Sequence, residues 1–198
     1  MLLCSYTMVH DYGFAPNPFW GFCTLGHCTP NHQGIKLSPG DWILGNSQKN
    51  SGNLLIYAMR IDETLVFDDY YRDPRFDLKK PAFHSTWKEQ CGDNIYFRDS
   101  EGDWMQAETL FHTDESRQEQ DLKYHKVFIG SEFFYFGGKP KQMPERFKSL
   151  LRVGVGCSCN HSEALVKKFV EWLRATFKPG IHAKPRDLAE WAEDFEDT

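Results

Sequence analysis

Three short stretches of this chain carry side chains able to do chemistry. The first is Asp11-Tyr12-Gly13-Phe14-Ala15-Pro16-Asn17-Pro18-Phe19-Trp20-Gly21, which sets an acid and an amide among rings. Its prolines and glycines restrict the backbone, and Ala15 and Asn17, each preceding a proline, are pushed toward extended geometry. A stiff loop of this kind suits a planar heterocycle, because rings stack on its faces while an amide or carboxylate hydrogen-bonds its edge. The plainer alternative is a buried loop whose rings fill the end of a barrel.

The second stretch is split. Cys23 and Cys28 stand with His27 and His32, and far along the chain Gly154-Val155-Gly156 leads into Cys157-Ser158-Cys159-Asn160-His161. Two ligands from each part would complete a tetrahedral zinc site from Cys23, Cys28, Cys157 and Cys159. Neither spacing is C-x2-C, however, so the pattern favours thiols packed as small apolar groups, with no metal and no other cofactor. Cys157 is also a candidate nucleophile, since a helix start lowers a thiol pKa and His161 could assist it. Asp11 completes the catalytic candidates. The same glycines could turn backbone N–H groups toward a phosphate, although neither a P-loop nor a dinucleotide fingerprint is present. Lys139, Lys141, Arg152, Lys167 and Lys168 would supply positive charge around it.

The third stretch holds Asp62-Glu63, Asp68-Asp69 and Asp73, interleaved with Arg72 and Arg75. Converging carboxylates could hold Mg²⁺, but the interleaved arginines favour surface ion pairs.

These groups must be positioned by a chain of 198 residues, the size of one domain, with 16 Phe, 8 Tyr and 6 Trp available for a core or for stacking. The net charge of −5 is unevenly distributed. Residues 1–122 carry 10 basic and 18 acidic side chains, residues 123–186 carry 13 and 4, and residues 187–198 carry 6 acidic and none basic. An acidic total therefore does not exclude nucleic acid, because a local basic patch decides that. No 18-residue apolar run appears, so no membrane partner is expected. The opening Met1-Leu2-Leu3-Cys4-Ser5-Tyr6 lacks a basic segment and a long apolar one, which suggests a cytoplasmic protein.

Strand signals dominate the first two thirds. Strands are expected at 2–10, 42–44, 54–61, 94–98, 104–107, 127–129 and 133–136, with 45–53 a polar loop. Residues 68–81 read as irregular around Pro74, and 112–121 as a mobile polar loop. A helix is expected over 162–177, capped by Asn160 or Ser162, and Lys178-Pro179-Gly180 ends it. The fold class is α+β. A Pro-Gly-Asp turn, an apolar strand, a polar loop and a long apolar strand follow the layout of PUA-like folds. The expectation is thus a curved sheet or small barrel with flanking helices and one long helix near the C-terminus. One domain would span 1–180, followed by an acidic tail over 181–198, itself a short helix.

The blocks GFAPNPFWGFCTLGHCTP, GDWILG, LIYAMRIDETLVFDDYYRDPRF, GDNIY, VFIGSEFFYFGG and FVEWL resemble the nucleotide modification associated domain 2 family, found in bacteria and their phages. The resemblance runs to about residue 173 and leaves the tail after Phe177 outside it. It implies a role in making, reading or processing modified nucleotides, and supplies no reaction. Combined with the loop chemistry, it suggests a pocket for a modified base built from Asp11, Tyr12, Phe14, Asn17, Phe19, Trp42 and Tyr135. The partner would be DNA or a modified nucleotide. An enzyme acting on that base, or a subunit accompanying a DNA-modifying enzyme, are the alternatives.

Overall fold

The computed structural model describes residues 1–27 and 36–188. Its strands, in chain order, are β1 (Leu3–Met8), β2 (Cys23–Leu25), β3 (Trp42–Ser47), β4 (Leu55–Arg60), β5 (Glu63–Val66), β6 (Tyr96–Arg98), β7 (Trp104–Gln106), β8 (Lys126–Gly130), β9 (Phe133–Tyr135), β10 (Cys157–Ser158) and β11 (Gly180–Ile181). The helices are α1 (Phe67–Arg72), α2 (Trp87–Gln90), α3 (Glu115–Leu122) and α4 (Glu163–Thr176), with 3₁₀ turns at Lys49–Ser51, Pro74–Lys79 and Glu145–Leu150.

Six strands form one mixed sheet in the order β10-β1-β3-β4-β9-β11, in which β1–β3 and β9–β11 run parallel. A second sheet has the order β2-β8-β5, and β6-β7 is a hairpin. Of the two forms expected, a curved sheet or a small barrel, the barrel does not close: the large sheet ends on two-residue edge strands, and among the described residues no pairing joins them. The result is layered. Trp42, Leu44, Ala58 and Phe134 turn one face of the large sheet toward Val166, Phe169, Val170 and Leu173 of α4. Ile43, Tyr57, Met59 and Tyr135 turn the opposite face toward Cys23, Leu25 and Phe128 of the second sheet. The alternation continues outward, where Val127 and Ile129 pack with Phe67, Tyr70, Phe76, Ile95 and Tyr96. Period-two strands thus bury both of their faces.

Helix α4 starts at Ser162, whose side chain accepts from the Leu165 N–H at 3.3 Å. Of the two capping candidates, Ser162 is therefore the one used. Strand β3 runs three residues beyond Leu44 because Asn46 is tied down in place. Its Nδ2 donates to the Arg152 and Asn53 oxygens at 2.8 and 2.7 Å, and its Oδ1 accepts from the Arg152 N–H. Gly45 is required there, since a Cβ would sit 2.3 Å from the Tyr57 ring and 2.5 Å from the Met8 sulfur.

Two stretches expected to be irregular are helical. In α1, Asp68 and Asp69 occupy the first turn and Arg72 the last, complementing the helix dipole, and Arg72 pairs with Asp68 at 2.9 Å. Pro74 then begins a 3₁₀ turn instead of breaking structure, with Asp73 accepting from the Arg75 N–H. The supposed mobile loop contains α3, capped by Asp114, which accepts from the Arg117 N–H at 3.0 Å. Without an apolar stripe, its sequence carries no helical period to detect. Among the described residues, no helix is long and apolar enough to cross a membrane.

The cysteines also depart from expectation. Cys4 of β1 and Cys159, next to β10, form a disulfide, so neither is a thiol or a zinc ligand. The antiparallel pairing of these strands at Ser5–Ser158 brings the two together. Cys23 is buried within the second packing layer, away from water, which pushes its thiol pKa far up. Cys28 and His32 lie outside the described residues, as do residues 189–198 of the acidic tail.

Candidate functional site

The loop of residues 11–21 separates two hollows. Its first half, Tyr12, Phe14 and Ala15, lines a cleft of about 590 Å³ together with Tyr6–His10 and the segment Leu110–Asp114 with Arg117. Its second half, Phe19 and Trp20, lines another hollow of about 740 Å³ with Thr86–Glu89 and Ile181–Lys184. Both volumes fall in the range of small-molecule sites, about 300–1,000 Å³.

The loop is fixed from behind. Buried Asn17 donates from Nδ2 to the Cys91 carbonyl at 2.9 Å, and its Oδ1 accepts from the Phe19 N–H at 3.2 Å and from Lys79 Nζ at 2.8 Å. Lys79 is itself fully enclosed and donates also to the Asn17 and Phe22 carbonyls at 3.0 Å and to Thr24 Oγ1 at 3.1 Å. Burial holds its ammonium down at about 8, against the opposing pull of Asp93. Asp93 is in turn held by Thr24 at 2.5 Å and Tyr70 at 2.8 Å. The Cys91 thiol donates to the Tyr12 carbonyl at 3.2 Å.

Asp11 faces the other way. Its carboxylate accepts from the Tyr135 hydroxyl at 2.6 Å and from the Arg186 N–H at 3.2 Å, while its own N–H donates to Asp187 at 2.7 Å. Burial pushes the Asp11 pKa up despite those bonds, and pushes Tyr135 up as well. Asp11, Asn17 and Tyr135 therefore spend their polar atoms on the protein. Trp42 is buried on the far face of the large sheet, stacked on Phe134 at 6.4 Å. Of the seven residues expected to form the pocket, Tyr12 and Phe14 line the cleft, Phe19 lines the second hollow, and the other four are interior.

What the cleft presents is a ladder of rings. His10 stacks on Tyr12 (5.4 Å, 9°), Tyr12 on Phe111 (5.7 Å, 27°) and Phe111 on Phe14 (4.8 Å, 30°). Phe14 continues onto His27 (4.8 Å, 28°), and His27 onto Phe67 (5.1 Å, 10°). Six rings thus step from an exposed histidine to the core.

At the inner part of this ladder lies a polar cluster. Asp121 Oδ2 takes His27 Nδ1 at 3.3 Å, the Tyr96 hydroxyl at 3.2 Å and, more closely still, His112 Nδ1. Burial raises the Asp121 pKa, but the bonds and charge of His112 and His27 outweigh it and hold the carboxyl well below the usual range. His112 reaches the cleft wall, while His27 and Asp121 are enclosed. Sequence spacing could not gather these three, since 85 and 9 positions separate them in turn. The signal that existed was His27 beside the aromatic loop.

Elsewhere, His161 Nε2 contacts the Ser158 carbonyl at 3.1 Å and Ser5 Oγ at 3.3 Å, and burial lowers its pKa. Cys157 pairs across the sheet with Tyr6. Arg152 donates to the Val155 carbonyl at 2.6 Å and leaves Nε buried with no acceptor. Lys167 pairs with Glu163 at 2.8 Å on α4, Lys168 is exposed on the same helix, and Lys139 and Lys141 lie beyond β9. Arg152 thus bonds within the glycine loop, and its carbonyl accepts from Thr7 at the β1 edge, whereas Lys167 and Lys168 ride on α4. The interleaved acids are ion-paired as expected, Arg75 with Glu63 and Asp73, and Arg60 with Asp62.

A family profile described as nucleotide modification associated domain 2 matches residues 2–194, well past residue 173, so most of the acidic tail falls within it. No curated protein and no solved structure matches the chain. With the motif blocks and the length of that match in agreement, the chain belongs to the nucleotide modification associated domain 2 family.

Proposed function

We propose that this protein binds a modified nucleobase, in DNA or as a nucleotide, in the cleft walled by Tyr12, Phe14 and Phe111. The observation that carries this reading is the ring ladder, whose outer member His10 is exposed and offers a face to a further planar group. Membership of a family named for nucleotide modification supports the same ligand class. Exposed Arg117 on the rim is the phosphate contact in this arrangement. Lys139, Lys141, Lys167 and Lys168 then act on a longer DNA backbone. Asp11, Asn17 and Tyr135 frame the wall, and a PUA-like mode of base capture does not require a closed barrel.

The test is calorimetric titration with deoxynucleoside 5′-monophosphates, with and without substituents at pyrimidine C5. Each base–aromatic stack is worth about 1–3 kcal/mol, so His10→Ala, which removes the ring face offered to the base, is expected to weaken binding by about 5- to 150-fold. Trp87→Ala, in the second hollow, is expected to leave binding unchanged. The opposite pattern would move the ligand to that hollow and sink the assignment. Mass spectrometry of the same mixtures separates a binder, which returns the nucleotide unaltered, from an enzyme that processes it.

A further inference from the structure

His27 is fixed through both ring nitrogens. Its Nε2 lies 2.5 Å from the Asp93 carbonyl, and a carbonyl can only accept, so Nε2 carries a hydrogen. Its Nδ1 faces a carboxylate oxygen, Asp121 Oδ2, at 3.3 Å, a separation at which the pair can share a proton or a cation. A second imidazole nitrogen, His112 Nδ1, meets the same oxygen. The three ligand atoms lie within 4.8 Å of one another.

We infer that His27 Nδ1, His112 Nδ1 and Asp121 Oδ2 form a binding site for a first-row divalent transition metal ion, of the zinc or ferrous type. Ligands about 2.1 Å from a tetrahedral ion stand about 3.4 Å apart, which the His27–Asp121 separation of 3.3 Å matches, whereas His112 Nδ1 lies closer to that oxygen and must draw back from it to share an ion. Two imidazoles and one carboxylate select such an ion over Mg²⁺ or Ca²⁺, which prefer oxygen alone. The surroundings are those of a ligating histidine, whose other nitrogen donates to a backbone carbonyl. Phe14 and Phe67 clamp the His27 ring on both faces, fixing where Nδ1 points. Of the three, His112 is the one that lines the cleft, which gives an ion a route in. The site stands whether or not a base occupies the cleft.

The experiment uses the full chain, purified without a metal-binding tag and stripped with a chelator. Titrated with Co²⁺ and then Zn²⁺, it is expected to bind one ion per chain, with a Co²⁺ spectrum lacking thiolate charge-transfer bands. His112→Ala, at the cleft wall, is expected to fold and to lose at least tenfold in affinity, while Cys157→Ser binds as the parent does. The inference is overturned if the parent chain binds no ion. It is overturned equally if His112→Ala binds as tightly, or if thiolate bands show that cysteine holds the metal. Nucleotide titration of the same samples reports separately on the cleft.

Discussion

At the scale of single residues, Lys79 is the most consequential side chain not in the cleft. It places an ammonium where water cannot reach and surrounds it with four oxygens, two from Asn17 and one each from Phe22 and Thr24. Burial lowers its pKa from 10.5 to about 8, so the folded state binds fewer protons than the unfolded one between those values. Stability contributed at this site is therefore lowest below pH 8 and rises as pH climbs toward 10.5, by on the order of 3 kcal/mol. Comparing urea denaturation of the parent and Lys79→Met across this range tests the sign. The parent is expected to gain stability relative to the variant as pH rises. A difference that does not change with pH would mean that Lys79 keeps its ordinary proton affinity.

The loop of residues 11–21 shows how an element can hold function on one face and structure on the other. Asn17→Ala removes the bond to Cys91 and strips an acceptor from both the Phe19 N–H and Lys79. We expect a loss of about 2–4 kcal/mol, read as a shift in the denaturation midpoint. An unchanged midpoint would instead make Asn17 a spectator available to a ligand. The residue types of this loop announced its rigidity and its rings, yet not the direction each side chain takes. Direction depends on β2, Lys79 and Cys91, which approach from elsewhere in the chain. Strands β3, β4 and β9 and helix α4 were legible because apolar periodicity and a capping serine mark them locally. Helix α3 was not, since a polar helix bearing one buried acid leaves no period. The cluster of His27, His112 and Asp121 exists only through that helix and the packing above it.

Considered as a whole, the molecule fastens its two ends together. Asp187 accepts from the Asp11 N–H and pairs with Arg186, and the Gly138 N–H donates to Lys184. Removing residues 187–198 takes away this brace along with the acidic charge, and is expected to lower stability by about 2 kcal/mol or more. Removing 189–198 alone keeps Asp187 and buried Leu188, and so tests screening of the basic stretch without that loss. Tighter DNA binding in the shorter deletion would support screening, and equal thermal melting of the two deletions would refute the brace.

The strand order also sets a schedule. β1 finds its parallel neighbour β3 about forty residues on, but its other edge waits for β10, and Asp11 waits for residues 186 and 187. Parallel pairings without a hairpin, and contacts spanning most of the chain, are slow to form. During synthesis from the N-terminus, the first loop made is among the last parts to settle. While residues 186 and 187 are still to be made, that loop can be held at Asn17 by Lys79 and Cys91 but not yet at Asp11.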